Sequence, residues 1–217
     1  MDMKTTVLAS EYADTDLPIR RFAQRADAAS GRTTRLARML RGDRIVLRAR
    51  AESDVAVLHS ELYDDVATRS RADSRPWQPM SAGSVASPYA VTEPNNETAC
   101  FSVAEIATDE LVGEALLWGI DTHSRAANVG ISLRPSFRGR GFGTEAVGVL
   151  CRYGFTTRGL HRLQLDTLAD NAAMRAVAVR VGFRAEGVLR EAAWVDGRFV
   201  DSMVFGLLAT ESAQRTD

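Results

Sequence analysis

The chain has 217 residues, 45% of them hydrophobic, and a formal net charge of -1, which supplies the core of one ordinary domain plus an extension and gives no global basic excess that would suggest nucleic acid. Only Cys100 and Cys151 are present, so a disulfide framework is set aside, and with no short Cys or His spacing no metal is expected. No apolar run approaches the roughly 18 residues that cross a bilayer, and the acidic N-terminus lacks a secretory h-region, so the expected setting is cytoplasmic, with no membrane or nucleic-acid partner and a homodimer left open.

Residues 1–41 hold few large apolar side chains and become rich in Arg and Ala from Arg20 onward, which predicts an appended arm ahead of one domain over 42–217. RIVLRA, from Arg44, reads as a strand. The following run places Val55, Leu58, Leu62 and Val66 at helical spacing behind a Ser53/Asp54 cap signal. Between 71 and 98 four prolines (Pro76, Pro79, Pro88 and Pro94) rule out a long regular element. That loop, with Trp77 and Tyr89, is a place for a variable substrate site.

ACFSVAEIA, ELVGEALLWGID and AANVGISL then read as an antiparallel meander. RPSFRGRGFGTEAVGVLCRYGFTTRG is a glycine-rich turn running into a helix that Gly159 ends. Strand HRLQLDTLA, helix NAAMRAVAVRV stopped by Gly182, and strand FRAEGVLRE follow, and Asp196-Gly197 turns the chain into a last strand, FVDSMVFGLLA. Gly182 and Phe183 read as a helix stop and a core aromatic, and Trp118 as a core residue of its strand. His59, His123 and His161 lie singly, without ligand spacing, and are assigned no catalytic role.

The run Arg138-Gly139-Arg140-Gly141-Phe142-Gly143-Thr144 follows a strand and opens a helix. Glycines in that context let backbone N–H groups converge on an anion, Arg138 and Arg140 add positive charge, and Thr144 can cap the helix or donate to phosphate. No Gly-Lys-Ser/Thr ends the loop, which argues against a P-loop, and a meander precedes it, which argues against a dinucleotide fold. A nucleotide-like diphosphate ligand fits.

The spacing Arg138-x-x-Gly141-x-Gly143 resembles the acyl-CoA motif of the GNAT superfamily. VGISLRPSFRGRGFGTEA, Asn171, VGFRAEGVLRE and DGRFVDSMVFGLLATE are similar, in order, to the branch that acetylates ribosomal-protein N-termini, over about residues 43 to 212. The resemblance implies an α+β fold, a mixed and mostly antiparallel sheet flanked by helices and splayed between the strands at 126–133 and 162–168. It implies acetyl-CoA as cosubstrate, with backbone groups of Ile131, Ser132 and Leu133 on the pantetheine arm. Asn171 would help hold the cofactor, and independently reads as a helix N-cap, two roles that coexist.

Acetyl transfer to an amine needs the amine neutral, and a carboxylate can take its proton. Two carboxylates on strands near the proposed splay are candidates, Asp166 and Glu114, with Asp166 preferred. Many members of the superfamily carry Tyr four residues before the Gly-Phe pair, and the ribosomal-protein branch often has Ser three after the Asn; this chain has Ala178 and Met174, and no general acid is recognisable. The expected function is acetyl transfer from acetyl-CoA to a primary amine of a protein N-terminus, a lysine or a small molecule. An aminoglycoside-type or other small-amine acetyltransferase and a CoA-binding module without turnover remain the alternatives.

Overall fold

The computed structural model of the chain describes residues 40–73 and 75–213. The proposed arm therefore lies outside the described residues except for its last two. Leu40 packs on the core and its carbonyl accepts from Leu47 N at 2.8 Å, and Arg41 forms a bridge with Val46.

Strand β1 (Ile45–Arg48) leads into helix α1 (Glu52–Leu58), a π-helical turn His59–Tyr63, and helix α2 (Val66–Ala72). The sequence predicts one helix here; two form. Ala51 is the N-cap of α1, and Asp54 reaches back to its N–H at 2.8 Å. Asp65 then caps α2 by accepting from Thr68 N at 3.1 Å, a local bond that competes with continuing the first helix. Val66, at the new N-terminus, is consequently exposed rather than part of a buried stripe.

Residues 75–98 contain no helix or strand, as their prolines require. They are fastened down instead. Trp77 Nε1 donates to Tyr63 O at 3.0 Å, Tyr63 Oη donates to Gln78 O at 2.8 Å, and Tyr89 is buried with Leu58, Leu62 and Leu111 in a second small core. Both aromatics of this loop pack on the π-turn and α1.

Strands β2 (Ala99–Glu105), β3 (Leu111–Asp121) and β4 (Ala126–Leu133) form the meander, helix α3 (Phe142–Arg152) follows, and β5 (Arg162–Leu168), α4 (Ala172–Val181), β6 (Arg184–Val195), β7 (Arg198–Leu208) and a short α5 (Ala209–Ala213) complete the order. The seven strands make one sheet in the order β1-β2-β3-β4-β5-β7-β6. All neighbours are antiparallel except β4 and β5, which are parallel.

Alternation along the strands sorts the two faces. Leu117 and Leu163 come within 3.4 Å of the position a Cβ on Gly154 would take, and Gly154 lies in the turn after α3, so these leucines face the α3 side with Ala115 and Leu165. Glu114, Leu116 and Trp118 on β3, and Gln164 and Asp166 on β5, face the other side. Asp54 on α1 accepts from Ser102 Oγ on β2 at 2.7 Å, which anchors the helices of that side to the sheet. Burial of Val147, Leu150, Leu163, Phe183, Phe205 and Leu207 forms the main core.

Candidate active site

The parallel pairing of β4 with β5 comprises Ala126↔Arg162, Ala127↔Leu163 and Asn128↔Gln164. Beyond it β4 runs on to Leu133 and β5 to Leu168, so the two strands part and the sheet opens. Two parting strands leave inward-facing N–H and C=O groups without a ladder partner, and such groups need one from elsewhere. A cleft of about 410 Å³ occupies the fork. It brings together Ile131, Ser132, Leu133, Arg138, Asp166 and Asn171, six of the residues singled out from sequence, with Trp118, Gly130, Thr167 and Met174.

Asn171 caps α4, its Oδ1 accepting from Met174 N and its Nδ2 donating to Thr167 Oγ1, both at 3.1 Å. It still lines the cleft, so its capping role leaves it beside any ligand there. Met174 lines the cleft and Ala178 is fully buried; neither offers a proton.

The remaining motif residues, Gly139, Arg140, Gly141, Phe142, Gly143 and Thr144, form the turn that follows Arg138 into α3. Gly139 and Gly141 have φ of +73° and +86°, in the left-handed region that glycine tolerates best. The N–H groups of Phe142, Gly143 and Thr144 open α3 and have no intrahelical acceptor. Arg44 holds the turn in place: it donates to Arg140 O at 3.0 Å and to Glu145 Oε2 at 3.2 Å, while Glu145 Oε1 accepts from Arg44 N at 2.6 Å. The Phe142 ring is buried, with the guanidinium groups of Arg44 and Arg140 at 4.8 and 4.9 Å from its centre, so Phe142 has only its backbone to offer a ligand. Arg138 donates from Nε to Leu133 O at 2.9 Å. Glycines in the left-handed region, an open α3 N-terminus and two guanidiniums fit a diphosphate.

The two carboxylates part company. Asp166 is exposed in the cleft, its oxygens each 3.2 Å from Gln164 Nε2. Glu114 does not line the cleft: its carboxylate is buried against Arg50, 2.6 Å from Nη2. Burial pushes the Glu114 carboxyl above its ordinary range, with Arg50 opposing that shift.

Trp118 is the residue that sequence reading misplaced. It is 46% exposed and lines the cleft instead of the core. Its strand parity with Glu114, on the face away from Ala115 and Leu117, is the signal that could have found it. Arg44 carries no such signal; its hold on residues 140 and 145, about a hundred positions away, exists only in the fold. Among the described residues no group of three or more His, Cys, Asp or Glu is placed to hold a metal.

A sheet that forks beside a glycine turn at a helix N-terminus offers an extended ligand with a diphosphate a place to enter. The acetyltransferase (GNAT) domain family matches residues 44–184, and the chain belongs to that family. It is 34% identical over 113 residues to the uncharacterized N-acetyltransferase p20 of Bacillus licheniformis, a match covering 52% of this chain and 64% of p20. It is 25% identical over 170 residues to the uncharacterized N-acetyltransferase YoaA of Bacillus subtilis strain 168, covering 78% and 96% of the two chains. The fold is that of the Vibrio cholerae spermidine N-acetyltransferase solved with CoA and spermine, with a TM-score of 0.71, 24% identity and coverage of 79% of this chain and 99% of that one.

Proposed function

We propose that the cleft binds acetyl-CoA and that Asp166 assists transfer of its acetyl group to a primary amine. The observation that carries this reading is the fork itself: β4 and β5 separate after Asn128 and Gln164, next to the 138–144 turn. In this reading Arg138, Arg140 and the N–H groups of Gly139, Gly141, Phe142, Gly143 and Thr144 hold the pyrophosphate. Backbone groups of Ile131, Ser132 and Leu133 bond the pantetheine, and Asn171 closes on it from the start of α4.

Bound acetyl-CoA supplies a thioester carbonyl open to attack and a thiolate able to depart. The protein's part is positional and electrostatic. Asp166 accepts the proton an ammonium must lose before its nitrogen can attack. Backbone N–H groups of β4 donate to the carbonyl oxygen as it gains charge. No side-chain acid waits for the sulfur; a thiol pKa near 8.5 makes the unprotonated thiolate a tolerable leaving group.

Glu114 is assigned a structural role, since acting as a base would require it to abandon Arg50. Acetyl-CoA chemistry and the free thiols of Cys100 and Cys151 suit the reducing cytoplasm. The test is release of free thiol from acetyl-CoA against a panel of small amines, polyamines, aminoglycosides and peptides with free N-termini. Amine-dependent release supports the reading; tight CoA binding with no release for any acceptor class favours a CoA-binding module.

A further inference from the structure

Trp118 stands in a central strand, paired with Asn128 on β4. Asn128 is the last β4 residue paired with β5, so the indole stands where the strands begin to part. A tryptophan 46% exposed at the middle of a sheet leaves unburied a ring that packing normally uses, and it does so in a cleft. The ring is not loosely placed. Its Nε1 lies 3.8 Å from the position a Cβ on Gly130 would take, and Leu116 Cδ2 lies 2.8 Å from the same point. Leu116 thus covers Gly130 and the N–H edge of the indole turns toward β4.

Across the fork, Asp166 projects from β5 on the same sheet face, exposed in the same cleft. It is the one carboxylate among the described lining residues. Of the lining guanidiniums, Arg71 pairs with Asp170 at 2.6 Å, and Arg138 donates its Nε to Leu133 O and leaves its other N–H groups for the pyrophosphate. An aromatic ring and a carboxylate lining one cleft are the two groups that recognise an organic cation, and a second cation would find no second acid among the described lining residues.

We propose that Trp118 and Asp166 form the acceptor subsite for one primary alkylammonium, the indole as its cation–π wall and the carboxylate as its counter-ion. The subsite deepens the acetyltransferase reading and rests on it for the fate of the amine, but not for binding. Holding the ammonium there delivers it to Asp166 at the mouth of the fork, where the thioester end of the pantetheine arm would come. The acceptor class is a monoamine, such as a peptide N-terminus, in preference to a polyamine.

The experiment titrates the full chain, saturated with CoA, with n-butylammonium, 1,4-diaminobutane and neutral n-butanol, reading tryptophan fluorescence and calorimetry, and measures CoA affinity in parallel. Saturable binding of n-butylammonium, none of n-butanol, and no gain for the diamine are expected. Trp118→Phe keeps the aromatic wall and changes Kd less than about 3-fold, whereas Trp118→Leu and Asp166→Asn each weaken it about 10-fold at unchanged CoA affinity. Wild-type n-butylammonium binding in Trp118→Leu overturns the proposal, as does an equal loss of CoA affinity or equal binding of n-butanol. A wild-type protein that binds n-butylammonium through Trp118 yet releases no thiol from acetyl-CoA upholds the subsite and removes the catalytic reading.

Discussion

Arg50 donates from Nη2 to Glu114 Oε2 at 2.6 Å, with 4% and 8% of the two side chains exposed. Arg50 also donates to Pro88 O at 3.3 Å and stacks over the buried Tyr89 ring at 5.8 Å, so it joins β3 to the loop before β2. Removing one member of such a pair strands the other as a buried charge. Arg50→Ala is expected to cost about 3–5 kcal/mol at pH 8 in chemical denaturation. The Glu114 pKa then stands above its unfolded value, so the folded state holds a proton the unfolded state releases, and stability falls as pH rises above about 4.3. Arg50→Ala is therefore less destabilised at pH 5 than at pH 8; equal losses at both would mean that Glu114 gains water in the variant.

The turn into α3 gives unequal weights to its glycines. Gly141 has φ +86°, and a Cβ there meets Arg44 Nη2 at 3.0 Å; a Cβ on Gly143 meets Leu133 and Val177 at an ordinary 3.5 and 3.7 Å. Gly141→Val is expected to weaken CoA binding at least 100-fold in calorimetry with near-native circular dichroism, while Gly143→Ala stays within about 10-fold. Equal, small effects of both would count against the turn as the pyrophosphate site.

Asp54 accepts from Arg48, Ala51 N and Ser102 Oγ. Burial opposes its charge, but these bonds win and hold its pKa down to about 2. The unfolded carboxyl titrates near 3.9, so this stabilisation is complete above that pH and is lost as pH falls toward 2, a change of about 2 kcal/mol. Asp54→Asn should lower stability at pH 7 and flatten the wild-type loss between pH 4 and 2. An unchanged acid slope in the variant would assign that loss to other carboxylates.

Asp166→Asn is expected to lower turnover by about 100-fold with acetyl-CoA affinity unchanged, the span usual for a general base. Steady-state rates across a pH series covering the amine's own titration check this. Wild-type turnover throughout would leave attack to an amine already neutral in solution.

Much of the frame was legible because its punctuation is local. Gly182 ends α4 at φ +114°, and Asp196 and Gly197 turn β6 into β7 at φ +49° and +80°, each a constraint written in one or two residues. The fork was legible through resemblance, and the loop glycines through their place between a strand and a helix. What stayed hidden depends on distant partners. Tyr89 is a core residue because α1 and its π-turn lie beneath it, Glu114 a structural one because Arg50 arrives from 64 positions away. The break between α1 and α2 was written in Asp64-Asp65, but a helical apolar spacing that ran across it concealed the cap.

Three residue pairs at the base of the fork are a narrow seam for a seven-stranded sheet. On one side of it lie β1 to β4, on the other β5, β7 and β6. A ligand arm lying between β4 and β5 would act as a missing strand, lengthening the seam and coupling the two half-sheets in unfolding. Amide exchange at 129–133 and 165–168 should then slow on CoA binding by more than the whole-molecule stabilisation that mass action supplies. Cofactor occupancy would in that way set the stiffness of the sheet as well as fill its site.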